Sequence, residues 1–425
     1  MASRCGLIRL LALGLLLAIA LGRPEPGRAA AQPSAASVFS PAKLRLAGDY
    51  LQNEVLSGHI PGAVLLIQQH GHPVYFESFG LRDVARQQPM TADTIFRLYS
   101  MSKPITSVAA MMLVDDGRLA LDDPLAKYIP DFADVKVGVE QRDNSGKPAL
   151  VLEPARRPIT ILDLLRHTSG ITYGFYGESA VRQLYTTKAL FSGDFDNAAF
   201  AARLAKLPLQ EQPATLWDYG HSTDVLGRVI EVVSGQSLYA FEQQRLLGPL
   251  GMTDTAFSVA DPAQRPRIAE PLPVDRFPDP IAGLNDPTEP RAWQSGGAGM
   301  VGTINDYARF AQMLLNGGSL DGRRYLKPET VALMTSDHIG PGTGIARDAY
   351  DFPGPDSGFG LGFAVRTLPN PTSPVGEYRW GGVGGTFFFI DPADDMFLIC
   401  MLQSPSQRLR IENEVKALVY QALAR

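Results

Sequence analysis

Apolar positions along this chain follow two rhythms. Near both ends they form short runs bounded by turn residues, and through the middle they fall at helical spacing. Ala63-Val64-Leu65-Leu66-Ile67 reads as a buried strand, His70-Gly71-His72 as a turn, and Val74 to Phe79 as the second strand of a hairpin. Toward the other end, strand signals cover Gly360 to Val365, Tyr378 to Trp380, Thr386 to Ile390 and Met396 to Leu402. The last two are joined through Pro392-Ala393-Asp394-Asp395. Helical spacing covers Leu44 to Leu56, Leu226 to Val233, Asn305 to Leu315 and Ile411 to Leu423. Thr160 caps a further helix over Ile161 to His167 that stops at Ser169-Gly170. Leu119 to Ile129 reads as a short amphipathic piece, 136 to 157 as polar and broken, and 175 to 260 as mainly helical. Residues 261 to 294, rich in Pro, Asp and Arg, read as a long excursion.

Strands at the ends with helices between them predict an α+β fold. Its antiparallel sheet is assembled from both termini and flanked by helices, with a mainly helical lobe inserted. The expected division is an α/β lobe over about 44–110 and 285–425 and a helical lobe over about 111–284. The cleft between two such lobes is the expected place for a pocket.

Composition narrows the picture. The 425 residues exceed the ~250–300 at which one core stops growing. A net charge of −5 supplies no electrostatic case for nucleic acid or an anionic membrane as partner. Residues 1–31 are expected to be a signal peptide: Arg4 and Arg9, an apolar run from Leu10 to Leu21 too short to span a bilayer, then Ala29-Ala30-Ala31. The mature chain, 32–425, is expected in the periplasm or secreted, without stable membrane insertion. It keeps one cysteine, Cys400, in an apolar run where a buried, inert thiol is expected.

The chemistry begins at Phe96-Arg97-Leu98-Tyr99-Ser100-Met101-Ser102-Lys103-Pro104-Ile105-Thr106, read as a strand-like lead-in and a helix opening at Ser100. Residues three apart on a helix share a face, so Lys103 is one turn from Ser100. A first-turn serine has free N–H groups beside it and the positive end of the helix dipole behind it. A hydroxyl, an amine to take its proton and donors for an oxyanion are the parts of a serine nucleophile. Spacing alone is weak, because Ser40-Pro41-Ala42-Lys43 repeats it at a helix entry.

Two further stretches add specificity: Leu216-Trp217-Asp218-Tyr219-Gly220-His221-Ser222 and Arg379-Trp380-Gly381-Gly382-Val383-Gly384-Gly385-Thr386. In this order, the three resemble the serine β-lactamase and penicillin-binding family, and look closest to class C β-lactamases and family VIII carboxylesterases. The resemblance implies a β-lactamase-like fold with Ser100 as nucleophile, Lys103 as the lysine contacting it, and Tyr219 as a proton relay. Either Lys103 or Tyr219 serves as the base. The N–H groups of Ser100 and Val383 would form the oxyanion hole, and His221, Trp380, Gly381 and Gly382 would line the substrate pocket. Two positions depart from the class C pattern: His221 stands for an asparagine, and Trp380-Gly381-Gly382 for Lys-Thr-Gly. Losing the lysine and threonine removes groups that hold a lactam carboxylate, which tilts the expectation to uncharged esters.

Other residues attract less. Ser222 resembles half of a nucleophile elbow but lacks its second glycine and preceding strand, so it is expected to be structural. His167 is expected at a helix end, where histidine favours the dipole, and not in a triad. His70 and His72 are expected as turn residues, with no metal and no cofactor implied. The expected activity is therefore hydrolysis of a small-molecule ester or amide through an acyl-enzyme on Ser100, with esters preferred. The rivals are a weak class C-type β-lactamase or D-alanyl-D-alanine carboxypeptidase, and a non-catalytic module that keeps the fold.

Overall fold

In the computed structural model, the described residues are 38–424 apart from 143, 188–189, 192–194, 276–283, 285 and 348–353. The expected leader, 1–31, lies outside them. Eight strands form one antiparallel sheet: β1 (Gly62–Gln69), β2 (His72–Asp83), β3 (Gln88–Pro89), and, beyond a hairpin of β4 (Lys136–Arg142) and β5 (Pro148–Pro154) and several two-residue strands outside it, β6 (Ser357–Phe359), β7 (Ala364–Arg366), β8 (Tyr378–Gly381), β9 (Phe387–Asp391) and β10 (Met396–Leu402). The order across the sheet is β6-β7-β8-β9-β10-β1-β2-β3, so its centre is the pairing of β1 with β10, with Leu65 opposite Cys400. The sheet is thus drawn from both ends of the chain, as the apolar runs predict.

Those runs lack a clean alternation because both faces are covered. On β10, Met396, Leu398, Cys400 and Leu402 enter one core, and Phe397, Ile399 and Met401 enter the other. The first core includes Leu44, Leu51, Val415 and Val419 of α1 (Pro41–Leu56) and α8 (Arg408–Ala422). The second includes Ile105 and Val108 of α2 (Ser102–Asp115), and Tyr307 and Phe310 of α7 (Ile304–Leu315). Fully burying each such side chain contributes about 1.5–3 kcal/mol. Cys400 is among them, fully buried with a free thiol.

Between β3 and α7 the chain is mainly helical: α3 (Ile161–Leu165), α4 (Ala180–Thr187), α5 (Asn197–Leu204) and α6 (Ser222–Ser234). One stretch differs from expectation. Residues read as polar and broken form a hairpin, β4 (Lys136–Arg142) with β5 (Pro148–Pro154), in which Val139 pairs with Val151. Its half-exposed strands need little apolar surface, so the pattern is weak there. The α3 helix carries the expected Thr160 capping box with Asp163 but stops at Leu165, and His167 turns into the left-handed region at φ 57°. The other S-x-x-K copy is the entry to α1, where Lys43 reaches the carbonyl of Gln421 at 3.3 Å.

Candidate active site

Ser100 is presented by a sharp turn. The short strand Phe96–Arg97 pairs with Val301–Gly302, and the Leu98 N–H donates to the Met300 carbonyl at 2.9 Å. Tyr99 then takes φ 45°, uncommon for a bulky residue. A single 3₁₀ turn, Tyr99–Met101, leads into α2. The α-helix therefore starts at Ser102, two residues later than expected, and Ser100 sits in the tighter turn ahead of it. Ser102 accepts from the Met300 N–H at 3.1 Å, tying the helix start to the same strand. Pro104 falls in the first turn of α2, where no intrahelical N–H is lost.

Lys103 is 1 % exposed. Its Nζ donates to the Gly297 carbonyl at 2.8 Å, to the Tyr173 hydroxyl at 3.0 Å and to Ser100 Oγ at 3.4 Å. It also lies 4.5 Å from the centroid of the Tyr219 ring. The Tyr219 hydroxyl accepts from the Trp380 indole N–H at 3.3 Å. Segments more than 250 residues apart in sequence thus meet around one ammonium and one hydroxyl.

Ser100 opens into a cavity of about 350 Å³ lined by, among others, Tyr176, Tyr219, Trp380, Gly381, Gly382 and Val383. Gly382 is required by close approach: a Cβ there would lie 2.3 Å from the carbonyl oxygen of Leu98. That contact seats the turn after β8 against the turn that carries Ser100. Among the described residues, no group accepts from the Val383 N–H, so it remains available to a ligand.

His221 differs from expectation. It is 1 % exposed and lies behind the cavity wall, not on it. Its ring packs 4.5 Å from Tyr173 and 4.9 Å from Phe191, and Nδ1 bonds Asp224 at 2.9 Å. Burial lowers its pKa from the ordinary 6.5, so the imidazole is neutral and the acid carries the charge. Ser222 bonds Ser169 at 2.8 Å and is buried. His167 accepts from the Gly220 N–H at 3.4 Å and packs 4.9 Å from Tyr219. Burial, with the nearby Lys103 charge, holds it well below the usual histidine range.

The residue that sequence reasoning missed is Tyr173. Its signal was faint: Tyr173, Phe175 and Tyr176 crowd together directly after Ser169-Gly170. In the structure the three rings stack or tilt on one another, and Tyr173 stands T-shaped to Tyr219 at 5.4 Å.

A family model described as Beta-lactamase matches residues 33–421. The chain belongs to the beta-lactamase family. Protein Rv1367c of Mycobacterium tuberculosis is 37 % identical, over 82 % of this chain and 86 % of its own. Esterase EstB of Burkholderia gladioli is 33 % identical, over 78 % and 83 %. Among solved structures, EstCE1, a hydrolase with promiscuous acyltransferase activity, superposes with a TM-score of 0.73 at 26 % identity, over 89 % of this chain and 99 % of that one. Membership makes the chain an enzyme of the serine hydrolase type.

The cavity keeps two guanidinium-bearing residues in its lining, Arg379 and Arg408, while position 380 carries no charge. Trp380 gives its indole N–H to Tyr219 and presents no charge. Gly381 leaves room for a Cβ: the nearest atom to it is the Thr386 carbonyl at 3.4 Å.

Proposed function

We propose that this beta-lactamase family member is an esterase that works through an acyl-enzyme on Ser100. The observation that carries the reading is the Lys103 amine held 3.4 Å from Ser100 Oγ and beside the Tyr219 ring, where Ser100 and Tyr219 line an open cavity. Ser100 Oγ attacks the ester carbonyl and loses its proton to the Lys103–Tyr219 pair in its singly deprotonated form, either a Tyr219 phenolate favoured by the Lys103 ammonium or a neutral Lys103 amine beside the phenol. The tetrahedral oxyanion is received by the N–H groups of Ser100 and Val383, each such donor contributing about 3–4 kcal/mol. Collapse breaks the acyl C–O bond, and the leaving alcohol takes the proton from the same pair. Water then repeats the sequence on the acyl-enzyme and frees the acid. Tyr173 completes the ammonium's shell and keeps it aimed at Ser100.

The ester preference is supported by Trp380 and Gly381, which offer no charge or hydroxyl to a lactam carboxylate, and by the name of EstB. Two measurements test the proposal. A fluorophosphonate should label Ser100 in a peptide map, and the kcat/KM for a short p-nitrophenyl ester should exceed that for a chromogenic cephalosporin. An unlabelled Ser100 would favour a binding module, and a reversed ratio would favour a lactamase. We also infer export from residues 1–31. N-terminal sequencing of the protein recovered from the periplasm checks it; a chain still beginning at Met1 would count against it.

A further inference from the structure

Behind the cavity wall, the carboxylate of Asp224 is 2 % exposed and accepts three hydrogen bonds. They come from Ser295 Oγ at 2.5 Å, His221 Nδ1 at 2.9 Å and the Gly297 N–H at 3.1 Å. The same Gly297 turns its carbonyl to Lys103 Nζ at 2.8 Å. One residue is therefore held by its N–H to a buried carboxylate and by its C=O to the ammonium. It cannot rotate away from Lys103 without straining or breaking the bond to Asp224. Charge-assisted bonds of this kind are the strong ones, and all these groups are out of water.

The Ser295–Gly297 loop is gripped from its other side as well. Thr106, one turn beyond Lys103 on α2, donates to the Gly296 carbonyl at 3.1 Å. Position 297 has no room for a side chain, since a Cβ would lie 2.9 Å from Asp224 Oδ2. Asp224 itself belongs to the first turn of α6, five residues after Tyr219. The segment that delivers Tyr219 to the ammonium thus also delivers the carboxylate that fixes the loop.

We propose that Asp224 is a positioning residue for the reaction: by holding Ser295 and Gly297 it sets the carbonyl that fixes the Lys103 ammonium beside Ser100, and His221 keeps the carboxylate turned to that task. This rests on the role given to Lys103 above.

Asp224→Ala and Asp224→Asn separate geometry from packing. Asparagine keeps an oxygen for the Gly297 N–H and the Ser295 hydroxyl, and alanine keeps none. The alanine variant should lose about 100-fold in kcat on a p-nitrophenyl ester, with KM within about threefold of wild type. Fluorophosphonate labelling of Ser100 should slow in proportion. The asparagine variant should recover at least about tenfold of that loss. If the alanine variant does not fold, Gly297→Ala, which drives a methyl into the carboxylate, takes its place and should show the same kcat-only loss. Equal losses in the alanine and asparagine variants, or labelling at the wild-type rate in the alanine one, would overturn the inference. A wild-type Ser100 that never labels would instead sink the hydrolase reading itself.

Discussion

The Lys103 Nζ lies 3.0 Å from the hydroxyl of Tyr173, closer than its 3.4 Å from Ser100 Oγ. The ammonium is thus anchored by a phenol outside the recognised motifs. A hydrogen bond to a charged group is typically worth ~1.5–3 kcal/mol. Tyr173→Phe should therefore lower kcat by about 10- to 100-fold with little change in KM, measured by steady-state ester hydrolysis. A rise in KM with kcat intact would assign Tyr173 to substrate binding instead.

Ser100 is half-buried at the mouth of a turn and contributes little packing. Ser100→Ala should cut turnover by about 10⁴-fold or more, as nucleophile deletions do. The melting temperature, read by calorimetry, should stay close to wild type. A variant that retains a tenth of the activity would remove Ser100 from the chemistry.

A Cβ at Gly381 would meet no atom closer than 3.4 Å, and Trp380 stands where the resemblance to class C enzymes has a lysine. The double change Trp380→Lys, Gly381→Thr should raise the ratio of cephalosporin to ester kcat/KM by about 10-fold, since it restores donors for a carboxylate. Ester turnover should fall at the same time, because the indole N–H on Tyr219 is lost. An unchanged ratio would show that the preference is set elsewhere.

Glu242 is fully buried, with one oxygen bonded to Thr106 at 3.1 Å and, among the described residues, no hydrogen-bond partner for the other. Burial pushes its pKa from 4.5 up to about 8. Between those values the folded chain keeps a proton that the unfolded chain releases. Stability from this group is therefore full below pH 4.5 and declines as pH rises toward 8, by up to about 1.4 kcal/mol per pH unit. Glu242→Gln, which cannot ionise, should gain on wild type between pH 5 and 8 in urea midpoints. Parallel pH curves for the two proteins would contradict this.

The sequence legibly carried the strands of the sheet centre, because Ala63 to Ile67 and Met396 to Leu402 are apolar on both faces, too short for a typical helix and bounded by turn residues. Ser100, Lys103, Tyr219 and the Trp380-Gly381-Gly382 turn were legible as local patterns. The hairpin of β4 and β5 was not, since strands half in water leave little periodicity to read.

What the amino-acid order by itself determined here is the inventory: a serine one turn from a lysine, a distant phenol, a glycine turn without a charge. Which groups complete the ammonium's shell was decided only in three dimensions. Tyr173, Gly297 and Asp224 belong to segments separated by tens of residues, and their bonds to Lys103 or to one another exist because helix and loop pack face to face. His221 shows the same limit: its place in a motif suggested a cavity wall, and the aromatic packing around it put it one layer deeper. Local spacing constrains neighbours on one element, whereas contacts between elements depend on how the whole chain buries its apolar surface.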